Sequence, residues 1–461
     1  MPRSANRRQF LKTAAAISAG YWVAGGAPMA LAAGRSPNEK LNIGVIGVAG
    51  QGGSNLGAVS GENIAALCDI DENNLAAAAK RFPKAKTYVD WRKALEQKNL
   101  DAVVVSTADQ VHALAGNWAM KRGLSVYCEK PLAHSVHEAR TVRETYLANK
   151  DKLATQMGTQ IHAGDNYRRV VELVQSGAIG PVREAHAWCG RIGPGGGLPQ
   201  GEEPAPKNLH WDLWLGPAPF RPYNHQYLPG NLTWNRWWDF GNGTLGDMGS
   251  HVIDLAFWAL KLRHPTSVEA TGDPLPASPY TNARWMIITW QHPAIEDRPA
   301  EVLGFSALGP AYAHPPIPGR PAVKLMWYDG IQRPPSPAGL DLKSWGLGVM
   351  FQGERGTLVA DYGRYVLLPQ DKFKDFKPPA QSIPPSRGHH QEWIHACKTG
   401  APTLCNFDYS GLLIENNLLG NVAYRVGKKL EWDPKALRAV NCPEADQFIR
   451  RKYREGWTLE G

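Results

Sequence analysis

The stretch Ile43-Gly44-Val45-Ile46-Gly47-Val48-Ala49-Gly50-Gln51-Gly52 is an apolar run that ends in a glycine-rich turn. In a strand–turn–helix unit that binds a dinucleotide, glycines permit the tight bend and let the backbone approach a pyrophosphate. The spacing here is Gly-x-Ala-x-x-Gly, with alanine in place of the middle glycine. The turn alone is a weak signal, but it follows a clean strand pattern and precedes a helix. We therefore expect cofactor contacts from Gly47, Ala49, Gly50, Gln51 and Gly52.

Strand and helix patterns alternate around this turn. Short apolar runs occur at 41–47, 64–68, 101–107, 124–128 and 153–157. Helical patterns separate them at 74–82, 91–97, 110–122 and 136–149. Ser135 and Glu138 have the spacing of a capping box for the last helix. This alternation predicts an α/β Rossmann domain over residues 38–160, with a doubly wound parallel sheet.

The pattern changes after Gln160. A helix is predicted at 166–176 and a later one at 410–426, with long Gly/Pro-rich loops between strand segments. The predicted strands are 182–188, 283–291, 301–307, 323–328 and 356–360. We expect a C-terminal α+β domain over 161–435, built on a large, mostly antiparallel open sheet, and a tail over 436–461 that packs on the body.

Composition indicates a globular protein with a mildly basic surface. Of the 461 residues, 43% are hydrophobic and 20% are charged, and the formal net charge is +9. Four of the cations lie within the first 32 residues, and no arginine-rich stripe follows. A nucleic-acid partner is therefore not expected.

Residues 1–33 have the features of an export signal. Arg7 and Arg8 stand in a twin-arginine-like context, an Ala/Gly-rich stretch follows, and Ala30-Leu31-Ala32 offers a cleavage site. The alternative is an uncleaved membrane anchor, which several glycines and Pro28 disfavour. We expect export by the twin-arginine route to the periplasm or another extracytoplasmic compartment, with no membrane span in the mature chain.

The ends of two further predicted strands point to the cofactor. Asp69 lies 22 residues after Gly47, at the end of the second predicted strand. A carboxylate there binds the adenosine ribose and repels a 2′-phosphate, which favours NAD over NADP; otherwise Asp69 is a solvated loop acid. Thr107 and His112 follow another strand and are predicted to flank the cofactor, although His112 equally suits packing on its own helix.

The chemistry is predicted from two segments. Glu129-Lys130-Pro131 ends a strand, where Glu129 and Lys130 are expected to reach the cofactor. In 243–254, Thr244 and Asp247 are spaced as a capping box, and Asp247, His251 and Asp254 share one helical stripe. A histidine suits the base that removes a hydroxyl proton, and an ammonium group lowers the cost of alkoxide character. The alternative is an ordinary surface helix. No metal site is expected, because only one histidine is present in this segment and the chain has no Cys-x-x-Cys spacing.

These motifs, in this order, resemble the glucose–fructose oxidoreductase / inositol dehydrogenase / MocA (Gfo/Idh/MocA) family, and the tryptophan-rich segment 234–239 resembles its exported bacterial members. The resemblance covers about residues 40–435. It implies a Rossmann domain joined to an α/β domain whose open sheet forms a homo-oligomer, a dimer or tetramer. It also implies a catalytic set of Lys130, Asp247 and His251. Ala49 and Ala108 depart from the family's usual pattern without removing a chemical group.

Substrate contacts are less specific. A carbohydrate would contact aromatic faces and polar side chains, although ordinary packing is the simpler reason for each tryptophan. The candidate substrate-binding residues are Gln160, His162, Tyr167, Arg168, Arg236 and Trp237.

The predicted function is an NAD-dependent oxidoreductase acting on a sugar, sugar derivative or polyol, with a tightly held cofactor. An exported enzyme has no large NAD pool outside the cytoplasm, so cofactor recycling within one catalytic cycle is expected. One alternative is an NAD-dependent, redox-neutral glycoside hydrolase of the same family. Another, from a different class, is a non-catalytic sugar-binding protein.

Overall fold

The computed structural model describes residues 39–460, apart from Pro194, Pro229, Asn231 and residues 297–318. The predicted export signal and the predicted strand at 301–307 therefore lie outside the described residues. No helix in the part of the chain that is described is long and apolar enough to cross a bilayer.

The N-terminal half of the fold is a parallel sheet of six described strands in the order β3-β2-β1-β4-β5-β6. The strands are β1 (Asn42–Ile46), β2 (Asn63–Cys68), β3 (Lys86–Tyr88), β4 (Ala102–Val105), β5 (Ser125–Cys128) and β6 (Thr155–Met157). The connecting helices are α1 (Gln51–Ala58), α2 (Glu72–Arg81), α3 (Trp91–Ala94), α4 (Asp109–Lys121) and α5 (Val136–Asn149). Every residue of β4 and β5 is buried, as expected for strands covered on both faces. The predicted Rossmann sheet is confirmed.

Local sequence explains where several of these helices begin. The Asp71 side chain accepts a hydrogen bond from the Asn73 amide at the start of α2. Ser135 and Glu138 form the predicted capping box at the start of α5. Such caps satisfy backbone N–H groups that have no partner within the helix. Strand β3 was not predicted, because its three residues are largely exposed at the edge of the sheet and lack an apolar pattern.

The C-terminal half contains a sheet of nine described strands in the order β13-β12-β11-β7-β10-β9-β8-β14-β15. All neighbouring strands are antiparallel except β7 and β10. The strands are β7 (Val182–Cys189), β8 (Ser267–Asp273), β9 (Trp285–His292), β10 (Val323–Asp329), β11 (Leu347–Gly353), β12 (Gly356–Ala360), β13 (Tyr365–Leu368), β14 (Leu430–Asp433) and β15 (Arg438–Ala439). The predicted large, mostly antiparallel sheet is confirmed.

Six described α-helices follow β6 along the chain. They are α6 (Asp165–Gln175), α7 (Trp211–Leu215), α8 (Ser250–Ala259), α9 (His389–Thr399), α10 (Phe407–Val426) and α11 (Asp446–Ile449). Helix α10 packs against α5 on one side and against β8 and β9 on the other. Arg140 of α5 forms a buried ion pair with Glu415 of α10. This helix therefore fixes the two sheets relative to each other.

Two C-terminal segments return to the Rossmann domain. Trp393 and Ile394 of α9 are buried in the same apolar cluster as β1 residues, so this helix packs with the first domain although it was predicted within the second. In the tail, Arg451 pairs with Glu138 and the Leu459 carbonyl accepts from Asn117. These contacts hold the carboxyl ends of the parallel strands close to the second domain, where a cleft forms.

Candidate active site

A cleft of about 550 Å³ opens at the carboxyl ends of the parallel strands. This is where ligands bind in doubly wound α/β folds. Thirteen of the predicted residues line it: Gly47, Ala49, Gly50, Gln51, Gly52, Asp69, Thr107, His112, Glu129, Lys130, Gln160, Asp247 and His251. The cleft therefore combines side chains from both domains.

The glycine turn is built for close approach of the backbone. Gly47 has a φ of +83°, and a Cβ atom there would lie 2.3 Å from the Ser106 carbonyl oxygen. A Cβ on Gly52 would lie 2.2 Å from the Gly47 carbonyl oxygen. Ala49 lies on the exposed part of the turn. Helix α1 starts directly after the turn, and no side chain caps it. Its free N–H groups and positive dipole end suit a pyrophosphate.

Asp69 lies beside this turn. Its two carboxylate oxygens accept hydrogen bonds from the backbone amides of Val48 and Asp71, each at 3.0 Å. Burial raises the pKa of Asp69, although the Val48 and Asp71 amides oppose the shift. Asp69 is therefore a cleft residue rather than a solvated loop acid, and a carboxylate keeps further lone pairs for a ribose hydroxyl. The turn, the uncapped helix and this acid fit a dinucleotide.

Glu129 connects three elements beneath the cleft. Its Oε1 atom accepts hydrogen bonds from the side-chain amides of Asn55 at 2.9 Å, Gln51 at 3.2 Å and Gln160 at 2.9 Å. Burial raises the pKa of Glu129, whereas the Asn55 bond and the Lys130 charge lower it. A Cβ on Gly158 would approach this carboxyl group to 2.6 Å. Glu129 thus acts as a positioning residue for α1 and for the segment that carries Lys130.

Lys130 and Asp247 meet across the domain boundary. The Lys130 ammonium donates to Asp247 Oδ1, and the Arg191 guanidinium donates to Asp247 Oδ2. Burial alone would raise the pKa of Asp247, but Lys130 and Arg191 outweigh that effect and hold the pKa below its usual value. Asp247 is therefore an anion shared by two cations, and its carboxylate fixes the position of the Lys130 ammonium.

His251 lies on the same polypeptide segment as Asp247. Burial and the nearby Lys130 charge lower the pKa of His251 to about 4, although Asp247 and Asp254 oppose the shift. Neither ring nitrogen has a hydrogen-bond partner within the described part of the chain, and Nδ1 is buried. The imidazole is consequently neutral at pH 7 and has a free nitrogen to accept a proton.

The segment before His251 differs from the prediction. A π turn (Leu245–Gly249) precedes α8, and Thr244 has helical backbone angles without a capping hydrogen bond, so the predicted capping box is wrong. Asp254 was predicted on the same stripe as Asp247 and His251, but it is fully buried and binds His162 and Tyr409. Asp254 lies within α8, three residues after His251, and these contacts hold its side chain inside the protein rather than at the cleft.

Thr107 and His112 line the cleft, but the histidine has an internal role. His112 is buried, and its two ring nitrogens lie 2.7 Å from the Pro131 carbonyl and 2.9 Å from the Thr107 carbonyl. Burial lowers the pKa of His112, so the neutral ring donates to one of these two carbonyls. His112 therefore connects the segment after β4 to the Lys130 segment.

Several predicted substrate residues are not at the cleft surface. His162 stacks on Trp258 and pairs with Asp254, and Tyr167 is buried with its hydroxyl donating to the His251 carbonyl. Arg168 is buried beside Glu392, and Trp237 belongs to a buried aromatic cluster. Arg236 lies over the Trp237 ring and does not line the cleft.

Gln160 does line the cleft, but its amide already binds Tyr127 and Glu129. His162, Tyr167, Arg168 and Trp237 are buried and do not line the cleft, because packing and internal hydrogen bonds hold these side chains inside the protein. The prediction that they contact a substrate in this cleft is therefore wrong.

Sequence reasoning missed other cleft residues. Asp109 is buried and accepts from the Asn242 amide groups, and burial raises the pKa of Asp109 well above its usual value. Trp214 and Trp234 also line the cleft. Asp109 stood at a predicted strand end, which was an available signal. Arg191 follows β7, whose carboxyl end could be placed near the cleft only once the sheet order was known.

One buried cluster lies behind His251. One potential ligand atom from each of His162, Asp254 and Cys405 falls within 4.8 Å of the other two. The Asp254 carboxylate also accepts from Tyr409 at 2.6 Å. These hydrogen bonds account for the histidine and the acid without an ion, and the prediction that the protein binds no metal stays a prediction.

Comparisons with known proteins agree with this geometry. Residues 41–157 match the family model GFO_IDH_MocA, described as "Oxidoreductase family, NAD-binding Rossmann fold". Residues 187–293 match the companion model, described as "Oxidoreductase family, C-terminal alpha/beta domain". Both domains thus match one oxidoreductase family, in the expected order. The first match confirms the predicted Rossmann domain with NAD as its cofactor.

Individual relatives match only part of this chain. "Inositol 2-dehydrogenase 2" of Saccharopolyspora erythraea is 32% identical over 151 residues, which is 32% of this chain and 44% of that enzyme. The match thus spans less than half the length of that relative.

Two solved structures resemble the fold. The WlbA dehydrogenase of Bordetella pertussis, in complex with NADH and UDP-GlcNAcA, has a TM-score of 0.56 at 15% identity, covering 86% of this chain and 99% of that one. A levoglucosan dehydrogenase, in complex with NADH and levoglucosan, has a TM-score of 0.52 at 16% identity, covering 85% and 99%.

Proposed function

We propose that this chain, whose two domains match the GFO_IDH_MocA oxidoreductase family, is an NAD-dependent oxidoreductase acting on a secondary alcohol of a sugar, sugar derivative or polyol. The observation that carries the proposal is the convergence of Lys130, Asp247 and His251 on the cleft that also holds the glycine turn. The relatives named above act on polyols or were solved with carbohydrate ligands, which supports the substrate class.

Each of the three residues has a distinct task. Oxidation of an alcohol removes a hydride and a proton, and bound NAD accepts the hydride. His251, neutral at pH 7, takes the hydroxyl proton on its free ring nitrogen. The Lys130 ammonium stabilises negative charge on the substrate oxygen as that proton leaves. Asp247 holds Lys130 in place and favours the protonated imidazole electrostatically, since its charge raises the His251 pKa.

The charges in the cleft favour transfer of the proton from the substrate hydroxyl to His251. Lys130 and Arg191 keep Asp247 ionised, and burial keeps His251 neutral. Before the reaction, the cleft therefore holds an unprotonated His251 imidazole close to the Lys130 ammonium group. Because these charges are already in position, both interactions strengthen in the transition state without reorganisation.

The test starts with the cofactor. The purified protein is denatured, and the released dinucleotide is identified and counted. We expect NAD rather than NADP, close to one per chain, because recycling within the cycle requires a retained cofactor. Inositols, aldoses and anhydrosugars are then supplied singly, and reduction of bound NAD is followed by its near-ultraviolet absorbance.

Two outcomes would contradict the proposal. A protein that neither contains nor binds a dinucleotide is a sugar-binding scaffold. Release of phenol from aryl glycosides in heavy water, with deuterium incorporated beside the oxidised carbon and no net change in NAD, indicates a redox-neutral glycosidase.

Export and assembly are separate proposals. We propose that Arg7 and Arg8 direct export by the twin-arginine route to the periplasm. Replacing both by lysine should retain the protein in the cytoplasm of a bacterial host, as cell fractionation would show; unchanged export would contradict this.

We also propose that the protein is a homo-oligomer, a dimer or a tetramer. The mass in solution can be measured by light scattering coupled to size-exclusion chromatography, and a monomer mass would exclude this proposal.

A further inference from the structure

A second cavity of about 420 Å³ shares no lining residue with the dinucleotide cleft. It lies between the start of α5, the end of α10 and the C-terminal tail. Its lining includes Arg425, Arg450, Arg451 and Lys452 but only one acid, Asp239. Nothing in the proposed oxidoreductase chemistry uses this cavity, so its charge calls for a separate explanation.

Arg425 is the central group of the cavity. Its guanidinium lies 4.0 Å from the centroid of the Phe448 ring and 4.9 Å from that of Trp238. No hydrogen bond or ion pair connects it to any residue in the described part of the chain. Burial lowers the pKa of Arg425 to about 10, although the Asp239 charge opposes the shift. The two aromatic rings thus hold the guanidinium beside the cavity, and its N–H donors have no partner among the described residues.

The other charges divide into paired and unpaired groups. Arg451 binds Glu138, Arg450 binds Asp446, and Asp239 is paired with Arg221. Lys452 is exposed, lines the cavity and has no hydrogen-bond or ion-pair partner among the described residues. Arg425 and Lys452 therefore leave an uncompensated positive charge at one place.

The start of α5 also borders the cavity, since Ser135 and Val136, the cap and first residue of a 14-residue helix, line it. The Glu138 carboxylate already accepts hydrogen bonds from the backbone amides of His134 and Ser135 there. The positive potential of the cavity therefore comes from the side chains of Arg425 and Lys452.

We propose that this cavity is a binding site for a small oxyanion of the phosphate or carboxylate class, held by the stacked Arg425 guanidinium and by Lys452. An arginine fork matches two oxygens of either group, and a lysine adds a point charge. The volume exceeds that of a single phosphate ion, so the oxyanion belongs to a small metabolite or is accompanied by water.

The cavity has a structural connection to the proposed active site. Asn242 lines the cavity, and its backbone and side-chain amides both donate to Asp109 Oδ2, a residue of the dinucleotide cleft. Asn242 therefore connects an anion bound in this cavity to Asp109 of the dinucleotide cleft.

The experiment measures binding by calorimetry on protein saturated with NAD, which blocks the pyrophosphate site. Inorganic phosphate, sulfate and citrate are titrated separately at constant ionic strength, with chloride as the reference. The variants are Arg425→Gln and Lys452→Glu, and the matched control is Lys93→Gln, an exposed lysine paired with Glu96 on the Rossmann domain. The readout does not depend on catalysis, so it can fail independently of the proposed function.

We expect one anion per chain, with affinity reduced about tenfold or more in Arg425→Gln and Lys452→Glu, since a charge-assisted hydrogen bond contributes about that much. Lys93→Gln should bind as the wild type does. Preference for phosphate and sulfate over citrate, or the reverse, identifies the class. No binding by any of the three anions, or wild-type affinity in Lys452→Glu, would overturn the proposal. Lys452 is exposed and unpaired, so that variant remains informative even if Arg425→Gln does not fold.

Discussion

The ammonium group of Lys130 donates a hydrogen bond to the carboxylate of Asp247, 117 residues further along the chain. Lys130 comes from the end of a Rossmann strand and Asp247 from the π turn of the second domain. Their side chains are 15% and 4% exposed, respectively. One polar contact therefore joins the two domains at the place where the proposed chemistry occurs.

Removal of the proposed catalytic groups should lower turnover without loss of cofactor. In Lys130→Ala and His251→Ala we expect kcat to fall by on the order of 10²-fold or more, as for loss of an acid–base or electrostatic group. NAD content should stay at the wild-type level. His225→Gln, which changes an exposed histidine paired with Glu203, is the control. Wild-type turnover in either alanine variant would refute the assigned roles.

The acidic limb of the pH profile should report His251. The base is active when neutral, and its pKa is about 4, so kcat/KM should fall only as the pH drops through about 4. Arg191 lowers this pKa, so Arg191→Gln should move the acidic limb to higher pH. Arg183→Gln, on strand β7 ahead of Arg191 and paired with Glu354 at the surface, should leave it unchanged. An acidic limb near pH 6.5 in the wild type would contradict the burial of the base.

Glycine at position 52 should be required for cofactor binding. In Gly52→Ala the new methyl group meets the Gly47 carbonyl oxygen at 2.2 Å, so the turn must move and NAD should be lost. Gly57→Ala, five residues later in the sequence, has nothing within 4 Å of the new Cβ. It should keep NAD and gain up to about 1 kcal/mol of helix stability. Dinucleotide content and thermal unfolding distinguish these outcomes, and full NAD content in Gly52→Ala would count against the site.

Glu129 should stabilise the cleft through its charge and its accepting lone pairs. Glu129→Gln can keep one oxygen for the side-chain amides of Gln51, Asn55 and Gln160. It removes the charge, however, and places an NH2 donor where Oε2 accepts from the Lys130 backbone amide at 3.3 Å, so that hydrogen bond is lost. We expect the free energy of unfolding to fall by about 1–3 kcal/mol and NAD affinity to decrease. Glu96→Gln, at an exposed ion pair, is the control. Equal stability of the two variants in denaturant titrations would exclude this role.

The parts of the fold that depend on local pattern were predictable. Apolar runs identified five of the six described Rossmann strands, and the spacing of Ser135 and Glu138 indicated the start of α5. The failures have three causes. Strand β3 is short and exposed. Strand β8 precedes a Pro-rich segment, β11 lies in a Gly-rich one, and neither has a clear alternation. The π turn at 245–249 carries no sequence signal that separates it from an ordinary helix start.

The residues of the candidate site also divide into those that a local sequence pattern predicts and those that it does not. The glycine turn, Asp69 and Lys130 follow predicted strands, and parallel strands bring their carboxyl ends to one edge whatever the rest of the chain does. Arg191 and the inward orientation of His162, Arg168 and Asp254 depend on how the second sheet and α10 pack. Those contacts join residues that are 56 to 224 positions apart, and no local pattern encodes them.

The sequence by itself thus determined the dinucleotide turn, the strand ends that present polar groups, and the residue types available for hydride-transfer chemistry, because each depends on backbone geometry over a few residues. Only the tertiary structure decided which polar side chains face the cleft and which become buried partners. That choice depends on burial and on long-range hydrogen bonds, and these form only when the two sheets pack on the helices between them.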